Sequence, residues 1–159
     1  MIDPNIKPTG CCDPFDPEPW DKKEILWDEK LFMKDHIKSV FHIPIDMNKV
    51  MTRDMEKIMK ANAKGEQLML SDEKSLWGSD IYIAVAKEVP DAQMTTLSGT
   101  FLTKVYEGPY KDIQKWTEDM KEYVKEKGKV IKKMYFCYTT CPNCAKAYGK
   151  NYVILFAQV

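Results

Sequence analysis

The stretch Gly99–Gly128, GTFLTKVYEGPYKDIQKWTEDMKEYVKEKG, decides the fold, because it predicts one strand, one tight turn and one capped helix in succession. Thr100 to Tyr106 is rich in β-formers (Phe101, Thr103, Val105) and partly alternates. Gly108-Pro109 breaks it, and a proline is tolerated in a first helical turn, where its missing N–H is no loss. Tyr110, Ile113, Trp116, Met120, Tyr123 and Val124 then recur at helical spacing. Lys125 and Lys127 suit the negative end of the helix dipole, and Gly128 offers a left-handed stop. The junction places a carboxylate, Glu107, among Tyr106, Tyr110 and Trp116.

Upstream, Ile81, Ile83 and Val85 alternate with Tyr82 and Ala84, as in a half-buried strand. Before it, Leu68–Leu70 predicts a short strand, and Ser71–Lys74 a polar loop leading to Leu76-Trp77. Met47, Val50, Met51, Met55, Ile58 and Met59 mark a helix, with Asp46 as its cap and Gly65 as its stop. Earlier still, Glu24–Trp27 and Leu31–Met33 read as short strands around an Asp28-Glu29 turn, followed by Ile37–Ile43. His36 and His42 fall here and read as ordinary strand histidines rather than ligands. Downstream, Lys133–Thr139 and Tyr152–Gln158 form a hairpin joined by Thr140–Lys150. The order is strand, helix, two strands, repeated once. It predicts an α+β fold: two β-α-β-β repeats in one antiparallel sheet, both helices on one face. The other face would be open to a ligand between the halves.

Residues 1–20 carry five of the nine prolines and read as an extended arm, pinned by Cys11, Cys12, Phe15 and Trp20. Residues 21–159 then form one domain, a reasonable size for a single core. The 24 basic and 24 acidic residues cancel, which removes the electrostatic case for nucleic acid or an anionic membrane as partner. No apolar run reaches the length of a membrane span. MIDPNIKPTG lacks a signal-peptide core, so a cytoplasmic protein is expected, as a monomer or homodimer. In that compartment the five cysteines read as thiols or metal ligands before disulfides.

The segment LTKVYEGPYKDIQKWTEDMKEYVKEKG resembles the strand-plus-helix signature of the GyrI-like small-molecule-binding domains: a strand, Gly-Pro-Tyr, then a Trp-bearing helix ending in Gly. GCCDPFDPEPWDKKEILW and YTTCPNCAKAYGKNYVILFAQV resemble a free-standing bacterial and archaeal subgroup labelled as hydrolases. The resemblance implies a cleft between the repeats that binds lipophilic, often cationic, compounds. In some free-standing members a glutamate beside aromatic rings hydrolyses cyclopropane-bearing alkylating compounds, and Glu107 is the matching acid here. The late strand reads Lys133-Met134-Tyr135-Phe136-Cys137, without the Tyr-Glu pair of sensor members, so their cation-binding carboxylate is not carried over. With no DNA-binding segment ahead of the domain, the chain is not expected to act as a regulator by itself.

Two functions follow. In the first, a small-molecule ligand meets Glu107 and a wall built from Trp77, Tyr82, Tyr110, Trp116, Tyr135 and Tyr138. In an apolar cleft such an acid would hold its proton near neutrality and could direct water at an electrophilic carbon. It could equally neutralise a cation stacked on rings. This chemistry requires no cofactor. In the second, Cys141-Pro-Asn-Cys144 supplies two thiolates at zinc-binding spacing, and Cys11 and Cys12 complete the shell of a structural zinc in a non-enzymatic module. Cys-Pro-x-Cys also suggests a thiol oxidoreductase. Such motifs open a long helix early in their domain, whereas only 15 residues follow Cys144. Cys137 reads as a small buried apolar residue.

Overall fold

The computed structural model describes residues 16–40, 43–75, 77–139, 149 and 151–159. The fold is α+β: seven strands, mostly antiparallel, and two helices. The chain divides into two compact units, residues 27–98 and residues 1–26 with 99–159. Among the described residues no helix is long and apolar enough to cross a membrane.

The first unit contains most of β1 (Lys23–Val40), then β2 (Ile43–Pro44), α1 (Met47–Lys60), β3 (Lys64–Ser75), β4 (Gly78–Val85) and the start of β5 (Gln93–Glu107). β4 runs antiparallel between β1 and β3, with Met33 opposite Ile83 and Asp35 opposite Ile81. Val50 and Ile58 of α1 pack on Met33, Ile37, Ile81, Ile83 and Val85. The alternation read at Ile81, Ile83 and Val85 therefore faces the helix, and Tyr82 and Ala84 face away from it.

Three boundaries differ from the sequence reading. β1 is one continuous strand; Asp28-Glu29 is no turn. Glu29 takes a left-handed backbone (φ 50°) inside the strand, with its N–H donating to Ser98 Oγ. Ser71–Lys74 is strand, not loop. Helix α1 stops well before Gly65. Asn62 (φ 49°) takes the left-handed position, its N–H bonds Met59 O, and Ala63 N–H bonds Ile58 O. That is the six-to-one closure expected of a glycine, supplied by asparagine. Asp46 makes no side-chain cap; its Oδ1 accepts from Lys38 N instead.

The second unit holds the remainder of β5, a 3₁₀ turn (Tyr110–Asp112), α2 (Ile113–Glu126), β6 (Lys133–Tyr138) and β7 (Tyr152–Gln158). β7 lies antiparallel between β5 and β6. Trp116, Met120 and Val124 bury against Leu102, Val153, Leu155 and Ala157. Helix α2 ends as read: Gly128 is left-handed (φ 71°), and Lys129 N–H reaches Val124 O. Its start is later than read, because Pro109 opens the 3₁₀ turn and not the helix. Residues 16–20, the described part of the proline-rich arm, lead through a turn in which Trp20 N–H and Asp21 N–H donate to Pro17 O. Trp20 leans on Phe156 at 5.7 Å, and buried Thr103 donates to Trp20 O at 2.5 Å.

Candidate functional site

Glu107 is the last residue of β5, directly opposite Tyr152 of β7. Its neighbour Tyr106 packs under α2, so Glu107 points to the helix-free face of the sheet. The next row inward on that face is Val105–Ile154–Cys137, and beyond it lies Thr103–Phe156–Tyr135. Ile154, Cys137, Phe156 and Tyr135 are buried, whereas Glu107 is exposed. The strip is apolar and aromatic inside and ends outward in a carboxylate. The turn after Glu107 is clamped: Gly108 N–H donates to Asn151 O at 3.0 Å, and Asn151 Nδ2 donates to Gly108 O at 2.8 Å. Gly108 itself (φ 147°) leaves room for Trp116, whose ring would lie 3.2 Å from a β-carbon there.

Within the second unit the predicted rings whose side chains are described fall on both faces of the sheet. Trp116 is buried on the opposite face from Glu107, stacked on Tyr106 with centroids 5.8 Å apart. Tyr138 packs on that same α2 face. Tyr135 alone shares the strip with Glu107; it is buried, tilted on Phe101, with Lys133 Nζ 5.3 Å above its ring. Tyr82 lies in the other unit, edge-on to Phe32 at 6.4 Å. Trp77, between β3 and β4, is 60% exposed. Tyr110 opens the 3₁₀ turn, and its side chain is outside what is described. The physical reason is parity: strand neighbours alternate faces, so Tyr106 and Trp116 cannot flank Glu107. The ring that does sit across from Glu107 is Tyr152, missed by the reading although the terminal strand's alternation (Tyr152, Ile154, Phe156) carried the signal.

Cys11, Cys12, Cys141 and Cys144 lie outside the described residues, as does His42. Cys137 is buried in β6. Among the described residues no group of three His, Cys, Asp or Glu is placed to hold a metal ion.

Under α2, Tyr106 O–H donates to Asp119 Oδ2 at 2.7 Å and Lys104 Nζ donates to the same oxygen at 2.5 Å. Lys104 also stands 5.4 Å over the rings of Tyr106 and Tyr123. The bond from Lys104 holds the Asp119 carboxyl below its usual range, helped by Tyr106. Burial, then the bond to Asp119, pushes the Tyr106 phenol up. This cluster fastens helix to sheet.

The first unit carries two polar clusters. Between α1 and the sheet, Asp54 is fully buried and neither of its oxygens accepts a hydrogen bond. Arg53 Nη2 donates to Asp35 Oδ2 at 2.6 Å, and Arg53 Nε stands 3.7 Å from Asp54 Oδ1. Burial, and then Asp35, raises Asp54 to about 7, so it keeps a proton to donate toward Asp35. Burial also works on Asp35, but bonds from Asp54, Arg53 and the His36 amide bring it below its ordinary value. On the helix-free face, His36 Nδ1 lies 3.0 Å from Asp80 Oδ1, and Lys34 Nζ 3.7 Å from Asp80 Oδ2.

A family model described as "Bacterial hydrolase" matches residues 2–159. No curated protein matches the chain. Three solved structures share its fold. The EcmrR C-terminal domain aligns at 15% identity over 86% of this chain and 93% of that one, with a TM-score of 0.60. A hydrolase from Listeria innocua aligns at 11% identity over 87% and 92%, TM-score 0.60. An uncharacterized conserved protein from Listeria innocua aligns at 11% identity over 86% and 92%, TM-score 0.62. At these identities the likeness shows the fold alone.

Proposed function

The chain belongs to the bacterial hydrolase family, and from that premise we propose that it binds a lipophilic, ring-bearing small molecule and hydrolyses it with Glu107. The observation that carries the reading is the strip on the helix-free face of β5, β7 and β6. Its inner rows are apolar and aromatic, and its outer row pairs the exposed Glu107 with Tyr152. An apolar ligand can meet the strip at its outer edge, where its reactive carbon reaches the carboxylate and water. Glu107 takes a proton from water as the water oxygen bonds to the electrophilic carbon. The strained carbon–carbon bond of a cyclopropane breaks, and its electron pair takes the proton that Glu107 accepted, which restores the carboxylate. No cofactor enters this reaction. The two units share a strand–helix–strand–strand order, and we read them as the two repeats of the GyrI-like fold.

A Glu107→Gln variant tests this with a cyclopropane-bearing alkylating compound, its turnover followed by chromatography and its binding by tryptophan fluorescence. Turnover falling by roughly 100-fold with binding retained is the expected result, since a positioned proton acceptor contributes about that much. Loss of binding alone reassigns Glu107 to holding a cation. No change in either measurement ends the assignment.

A further inference from the structure

The helix-free face of the first unit holds a group that the Glu107 chemistry does not use. His36 and Lys34 alternate with the α1-facing residues of β1, and Asp80 stands directly opposite His36, with Asp72 beyond it on β3. Asp80 accepts at Nδ1, 3.0 Å away, which assigns the proton to Nδ1 and leaves the lone pair on Nε2. Lys34 holds the second oxygen of Asp80 from 3.7 Å. The imidazole lies against Gly78: a β-carbon at that position would stand 2.5 Å from Nε2 and 2.6 Å from Cε1. Any other residue would therefore push the ring away, and glycine is what lets Nε2 lie flat at the strand surface. The His36 side chain is 55% exposed, so solvent reaches it. Trp77, the residue before Gly78, is 60% exposed, and its backbone is held by Ser39 N–H at 2.9 Å. A carboxylate-oriented imidazole that solvent reaches is the general-base pair of an acyl-hydrolysing centre.

We propose that His36 and Asp80 form a second hydrolytic centre, which does not use Glu107 and takes aryl esters. Nε2 accepts a proton from water as the water oxygen bonds to the acyl carbon. The tetrahedral adduct then collapses, the bond to the aryloxy oxygen breaks, and that oxygen leaves with the proton from the imidazolium, giving one acid and one alcohol. Asp80 is a positioning residue, and an aryloxy leaving group suits a centre whose base is a single imidazole. The charged and titratable groups on the same face are Lys34 and Lys38 of β1, Asp72 of β3 and Asp80 of β4.

The test is hydrolysis of p-nitrophenyl acetate by the full chain. His36→Asn should lose roughly 100-fold or more, and Asp80→Asn a smaller share, since it leaves the base but frees the ring. A folded His36→Asn protein within twofold of wild type overturns the proposal. Should that variant fail to fold, the wild-type protein is treated with diethyl pyrocarbonate. Inactivation that tracks one adduct on His36 supports the assignment, and full activity of the modified protein overturns it. The Glu107 reading is measured on a different substrate and stands or falls separately.

Discussion

The two helices bury their apolar faces in the same way but handle charge in opposite ways. Helix α2 seals Trp116, Met120 and Val124 against hydrocarbon and keeps its polar contacts, Tyr106–Asp119–Lys104, at a rim where the Asp119 side chain is still half exposed. Helix α1 carries a carboxyl, Asp54, into its fully buried face. A rim carboxylate can stay ionised because water and Lys104 both reach it. A buried one beside Asp35 must hold a proton instead. One helix–sheet seam is thus built around packing alone and the other around packing plus a shared proton.

The largest effect should come from the side that relies on packing. Trp116→Ala removes a buried ring, its stack on Tyr106 and the contact that fills the space over Gly108. We expect a loss of about 4 kcal/mol, the usual cost of truncating a buried aromatic residue, with little dependence on pH. Urea unfolding measures it. A loss under about 1 kcal/mol would show that α2 is not held as described.

The next effect sharpens the contrast, because it depends on pH. Asp54 sits near 3.8 when unfolded and is raised to about 7 when folded. Between those values the folded protein keeps a proton that the unfolded chain has released. Its contribution is therefore complete below the lower value and is lost as pH rises through the upper one. The full shift corresponds to about 4 kcal/mol, most of it between about pH 4 and about pH 7, and Asp35, moved the other way, titrates below that window. Asp54→Asn has no proton to release and should flatten the profile between about pH 5 and about pH 8. A variant with the same slope as wild type would falsify the shared-proton account.

What could be read from the sequence was local. Gly108-Pro109, the 3.6-residue stripe through Trp116 and Met120, and the stop at Gly128 all act within a few residues of one another, and each stands where expected apart from the later helix start. The error at α1 was also local. Asn62 tolerates the left-handed backbone nearly as well as the glycine that was expected to supply it. What could not be read depended on partners far along the chain. Glu29 stays in β1 although its backbone is left-handed, and Ser98, 69 residues away, accepts its N–H. His36 meets Asp80 across 44 residues, and only the β1–β4 register puts them in one row. The same register parity put Tyr106 and Trp116 on the face away from Glu107 and Tyr152 across from it.

The smallest predicted effect separates the two units most cleanly, because it concerns direction. Tyr106→Phe keeps the stack on Trp116 and removes only the O–H bond to Asp119, which retains Lys104. The loss should be about 1 kcal/mol, the net worth of one hydrogen bond to a charged but solvated acceptor. The Asp119 carboxyl is lowered in the folded state, first by Lys104 and then by Tyr106. Its contribution is therefore present above the unfolded value and is lost as pH falls through the folded one, the reverse of Asp54. Acid should loosen α2 and tighten α1 in the same molecule. Amide hydrogen exchange, corrected for intrinsic rates, reads the two helices separately. Protection in α1 should decline from about pH 5 to about pH 8 while protection in α2 does not, and Tyr106→Phe should lower protection in α2 alone. If both helices follow one common pH profile, the two carboxyls do not act in opposite senses, and the contrast between a rim charge and a buried proton disappears.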